Sequence, residues 1–179
     1  MIGEQIYNVP LTTVSLCLTL VYIVATIVGC VSGPVINRLG RMRTLVIAIV
    51  LMIVGFAGSA IFIKSGFGVL TFLACLFIAG VTAVYTPIYD AASDALPVEE
   101  NGRGVGILDL MMNTSASIGV GVYSSLMVSD TMGKGGLFGV GSGVEAQTSN
   151  MFWIMCAVSV LSMIVLFVFR KSFTAKRNV

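Results

Sequence analysis

The sequence predicts an all-α integral membrane protein, a single transmembrane domain of five membrane-spanning helices. Of its 179 residues, 57% are apolar and 10% charged, against roughly 45–50% and about 25% in a soluble domain. Mean hydropathy is +1.02. Five apolar runs also reach the roughly 20 residues that a helix needs to cross a hydrocarbon core about 30 Å thick. One water-soluble core of this size cannot hide that much apolar surface, which excludes a cytosolic enzyme and a disordered linker. A net charge of +2 is too small to point to nucleic acid as a partner.

The elements follow in order, and each is expected to be helical because lipid offers backbone groups no outside partner. The first spans about residues 11–36 and stops at the basic stretch Asn37-Arg38-Leu39-Gly40-Arg41-Met42-Arg43. The second covers about 44–63 and ends at Lys64-Ser65-Gly66. The third, about 67–89, contains Pro87, which leaves a carbonyl unpaired and should kink the helix. Pro97-Val98-Glu99-Glu100-Asn101-Gly102-Arg103 leads into the fourth, about 104–128. Ser129 to Asn150, with Gly133, Gly135, Gly136, Gly139, Gly141 and Gly143, reads as a glycine-rich solvent loop. The fifth spans about 151–169.

Cysteine and histidine usage narrows the chemistry. Cys17, Cys30, Cys75 and Cys156 are scattered singly through apolar runs and read as small buried hydrophobes rather than disulfides or zinc ligands. The chain has no histidine, which excludes Ser-His and Cys-His nucleophiles and histidine-based metal sites. Neither an enzyme nor a resident cofactor or metal is expected.

Charge placement predicts orientation. With the first loop in the cytoplasm, the inside carries Arg38, Arg41, Arg43, Arg103, Arg170, Lys171, Lys176 and Arg177, and the outside only Lys64 and Lys134. That positive-inside bias puts the N-terminus outside and the C-terminus in the cytoplasm of a multi-pass cell-membrane protein. An outside N-terminus lacking a basic region ahead of the first helix suggests that further helices precede it. The tail cations would anchor to lipid headgroups.

Two stretches carry a resemblance. Gly33-Pro34-Val35-Ile36-Asn37-Arg38-Leu39-Gly40-Arg41-Met42-Arg43 has the spacing G-x-x-x-(D/N)-R-x-G-R-x-R between two spanning helices. It resembles the loop signature of the major facilitator superfamily. In that reading Gly33 lets two helices approach, Gly40 supports the tight reversal, and the arginines hold the loop at the cytoplasmic face. Asn37 stands where the family usually has aspartate. It can cap the following helix but cannot form a charged pair. Ala95-Leu96-Pro97-Val98-Glu99-Glu100-Asn101-Gly102-Arg103-Gly104-Val105-Gly106-Ile107 is similar to a loop of the fourteen-helix drug:proton antiporter branch, the multidrug and tetracycline-type exporters. Ala116 occupies the position where tetracycline exporters often have an acidic residue, which speaks against tetracycline as the substrate. The resemblance implies the last five helices of a transporter, an incomplete C-terminal bundle, with the missing N-terminal helices as partners.

Asp109 is the leading functional candidate, because an ionisable residue within lipid costs roughly 2.5–3.5 kcal/mol on insertion scales. With Asn113 and Ser117 it forms an i, i+4, i+8 stripe that could line a water-filled path, with Asp109 carrying a proton. Tyr85, Thr86, Pro87 and Tyr89 are candidate cavity or substrate residues. Asp90 and Asp94 share a face and are candidate gate residues, pairing with Arg103 or the first loop's arginines. Gly29 with Gly33, Gly55 with Gly58, and Gly119 with Gly121 read as helix contacts. The expected function is proton-coupled efflux of small amphipathic compounds by alternating access, with lipid, protons and a small-molecule substrate as further partners. The alternative is a non-transporting module (accessory subunit, scaffold or remnant) that packs against other helices.

Overall fold

The structure is a computed structural model that describes residue 7, residues 9–128, residue 135 and residues 143–169. Within those residues the chain forms five long helices: α1 (Leu11–Leu39), α2 (Arg41–Ile61), α3 (Phe67–Asp94), α4 (Asn101–Val128) and α5 (Val144–Val168). All five are long and apolar enough to cross a membrane. A single 3-10 turn, Val98–Glu100, leads into α4. Lys134, most of the glycine-rich loop, and Arg170, Lys171, Lys176 and Arg177 lie outside the described residues.

The helices run past the limits of their apolar runs. α1 continues to Leu39, α2 begins at Arg41, α3 carries on through Asp94, α4 starts at Asn101 and α5 at Val144. Apolar windows mark only what lipid covers, whereas backbone hydrogen bonding continues into the interface until a residue breaks it. α1 and α2 are separated by Gly40 alone, whose φ of 83° and ψ of 155° lie in a region open essentially to glycine. Its N–H caps α1 by donating to Ile36 O at 2.8 Å. Asn37 lies inside α1, and the N-cap of α2 is Gly40 with no side-chain cap. The expected asparagine cap is therefore replaced by a glycine reversal. Extension of α1 by one more turn carried Asn37 past the capping position.

The centre of the bundle is the antiparallel pair α2 and α3. α1 packs on α3, α5 packs on α2, and α4 lies at the edge, touching α3 and α5 lightly. Glycines set the approach of the central pair. A Cβ on Gly55 would meet Phe77 Cβ at 2.6 Å, one on Gly80 would meet Ala48 O at 2.6 Å, and one on Gly58 would meet Leu73 Cδ2 at 2.7 Å. Small residues let helix backbones come this close where lipid supplies no hydrophobic drive to pack. Gly29 makes an ordinary contact, 3.6 Å from Thr82, whereas Cβ atoms at Gly33, Gly119 and Gly121 would meet nothing within 4 Å. Among the described residues, close approach is therefore made at Gly55 and Gly58 and not at Gly33, Gly119 or Gly121.

Leu45 and Ile49 of α2 and Leu166 of α5 form a buried cluster, with Val84 and Ile88 of α3 against it. Cys156 is buried, but Cys30 is exposed, because α1 buries only Val21, Ser32 and Ile36. On exposed helix faces hydroxyls bond their own backbone, as in Ser15 to Leu11 O and Thr26 to Tyr22 O. That is how a serine or threonine faces an apolar solvent without an unpaired donor.

Candidate functional site

The ion-paired carboxylates singled out from the sequence lie near one end of the bundle, where α1 and α3 finish and α2 and α4 begin. Arg41, at the first position of α2, donates from Nε to Asp90 and from Nη2 to Asp94. Asp90 and Asp94 are four apart on α3, so their charges repel, and one guanidinium bridges them through separate N–H donors, offsetting part of that repulsion. The helix ends add to this. The carboxylates near the C-terminus of α3 lie beside the partial positive charge at the N-terminus of α2, and Arg41 lies beside the partial negative end of α3. Each charge is unfavourable at its own helix end and favourable at its neighbour's.

Of the two expected partners, the first loop supplies Arg41, and Arg103 is not in this clasp. It lies within the first turn of α4, exposed, and makes no ion pair among the described residues; Arg38 and Arg43 are likewise exposed and unpaired. Early initiation of α4 at Asn101 fixes Arg103 on a helix that barely touches α3, while α2 is pressed onto α3 along its length. The second sequence stretch instead makes a packing contact: a Cβ on Gly104 would collide with Leu96.

Asp109 stands two turns into α4, and the Tyr89 hydroxyl donates to its Oδ1 at 2.7 Å. Tyr89 stacks on Tyr85 with ring centroids 6.5 Å apart, and Tyr85 is 43% exposed. At 1.5 Å per residue, Asp109 and Tyr89 lie about 8 Å and about 13 Å from the midpoints of α4 and α3. Half the hydrocarbon thickness is about 15 Å, so the contact lies between the middle and the edge of the apolar spans. Asn113 Nδ2 donates to Asp109 O at 2.9 Å and Ser117 Oγ to Asn113 O at 2.9 Å. The stripe is continuous and exposed, and α4 has no buried residue at all.

Thr86 and Pro87 make no hydrogen bond with Asp109 among the described residues. Thr86 Oγ1 and Ser32 Oγ of α1 are 2.6 Å apart, and Ser32 Oγ also donates to Gly29 O at 2.7 Å. Since Ser32 has one hydroxyl proton and spends it on Gly29, Thr86 donates to Ser32. Pro87 is fully buried. Thr86 ties α3 to α1, whereas Tyr89 reaches α4, so the segment 85–89 serves two neighbours. Ser32 and the contact at the opposite end of the bundle, Lys64 to Glu145 at 3.4 Å, were not singled out from the sequence. A serine within an apolar run is the available signal for the first; the second depends on tertiary placement.

The sequence model of the Major Facilitator Superfamily matches residues 3–179. No curated protein matched the chain, and no solved structure did.

Proposed function

The chain belongs to the Major Facilitator Superfamily, a family of transporters, and we propose that it forms the C-terminal part of a proton-coupled exporter of small amphipathic compounds. The observation that carries this reading is the exposed stripe of Asp109, Asn113 and Ser117 on α4. A carboxylate facing lipid would be costly, so the stripe faces a polar path formed with further helices of the transporter, and Asp109 takes up and releases the coupling proton there. Two helical bundles rocking about a central site give each side access in turn. The Arg41 clasp closes one end of this bundle in one of the two states. Tyr85 on α3 and Asn113 on α4 contribute to the cavity. The arginines at the clasp end support a cytoplasmic position for that end, with the C-terminus inside and the N-terminus outside.

The test is substrate-driven proton movement in vesicles that contain the product of the full reading frame carrying this chain. The parent acidifies or alkalinises the lumen when substrate is added, and Asp109→Asn abolishes the coupled proton flux at least tenfold while the protein remains inserted. Unchanged coupling in Asp109→Asn removes Asp109 from the mechanism. No substrate-driven proton movement in the parent favours the non-transporting membrane module.

A further inference from the structure

Tyr89 and Asp90 are consecutive on α3, so their side chains project about 100° apart around the helix. Tyr89 reaches α4 and donates to Asp109 at 2.7 Å; Asp90 reaches α2 and accepts from Arg41. One turn of α3 is therefore held on one side through Asp109 and on the other through the Arg41 clasp. No other side-chain hydrogen bond joins α3 to α4 among the described residues, and the contact between those helices is slight. We propose that Tyr89 is a positioning residue for the coupling step, linking the charge on Asp109 to the clasp rather than contacting substrate. The proposal rests on Asp109 as the proton carrier.

The physical basis is the strength of the bond. A phenol donating to a carboxylate makes a charge-assisted hydrogen bond, roughly twice as strong as the neutral bond left after the carboxylate is protonated. Tyr89 keeps its own proton throughout; only the Asp109 carboxylate gains and loses one. Ionised Asp109 favours the arrangement in which the first turns of α4 are drawn against the 89–94 turn of α3. Protonation weakens this polar tie between the two helices and shifts the population toward an arrangement in which α4 is free of α3. The stacked Tyr85 ring limits the directions open to Tyr89, so the hydroxyl is preset toward α4.

The experiment is steady-state exchange by the full-length transporter in proteoliposomes for the parent, Tyr89→Phe, Asp109→Asn, the double variant, and Tyr22→Phe as a control for hydroxyl loss on the exposed face of α1. Tyr89→Phe is expected to lower kcat at least fivefold with KM within twofold of the parent, and to add nothing to Asp109→Asn, since the hydroxyl acts only through that carboxylate. Spin labels at Ser93 and Gly106 provide a second measurement that needs no active Tyr89 variant: the α3–α4 distance distribution broadens in Asp109→Asn relative to the parent. Parent-like kcat in Tyr89→Phe, effects of the two substitutions that multiply, a change confined to KM, or an unaltered distance distribution each overturn the proposal. Parent-like proton flux in Asp109→Asn overturns the proton-carrier reading itself, and this proposal with it, and is seen in a different variant.

Discussion

Replacing Gly80 by alanine tests whether backbone contact governs the centre of the bundle. The added Cβ would lie 2.6 Å from Ala48 O, 2.7 Å from Met52 Cγ and 2.9 Å from Met52 N. Two of these three atoms are backbone, so rotating a side chain cannot relieve the clash. Comfortable contact needs about 3.5 Å, and α2 and α3 must part by roughly 0.9 Å. Overpacking of this kind typically costs about 1–3 kcal/mol. Gly55 faces the backbone of Phe77 in the same antiparallel register, so the separation forced at one glycine relieves part of the strain at the other. The Gly55→Ala, Gly80→Ala double variant should therefore lose less than the sum of the single variants. Gly58→Ala is expected to cost less than either, because its neighbour is the terminal Leu73 Cδ2, which can rotate away. The assay is equilibrium unfolding of the purified protein in mixed micelles, followed by helical circular dichroism. A Gly80→Ala variant within about 0.5 kcal/mol of the parent, or strictly additive losses, would refute backbone contact as the determinant.

Two further outcomes follow from the helix ends. Gly40→Ala places a side chain at φ 83° and ψ 155° and should cost about 1–3 kcal/mol, read as a lowered thermal midpoint with insertion unchanged. Arg41→Ala leaves Asp90 and Asp94 facing each other, but these carboxylates are 43% and 51% exposed, so solvent screening holds the stability loss to about 0.2–1 kcal/mol. Its larger effect should be on transport rate, measured in the same vesicles; a destabilisation beyond about 3 kcal/mol would mean that the clasp is structural.

The five spans were legible because lipid imposes one requirement on each segment independently: enough apolar length, with every backbone group paired along the same helix. The reversal at Gly40 was legible for a related reason, since the conformation it adopts is local and only glycine takes it readily. The Asp109, Asn113 and Ser117 stripe was visible from helical spacing alone, and the structure keeps it continuous.

Contacts between helices were not open to the same reasoning. Gly33 and Gly55 look alike in sequence, yet one faces open space and the other touches Phe77 at 2.6 Å, because the side of a helix that meets a neighbour depends on rotation and tilt. Arg103 and Arg41 were equal candidates for Asp90 and Asp94, and close packing of α2 on α3 chose Arg41. Thr86 and Tyr89 sit three residues apart and serve different neighbours, α1 and α4. By itself the sequence determined which segments cross the membrane and which carry polar groups, since those follow from the transfer free energy of each segment. Only the tertiary structure decided which polar groups meet, since that depends on the mutual orientation of helices whose apolar surfaces are nearly uniform and specify no partner.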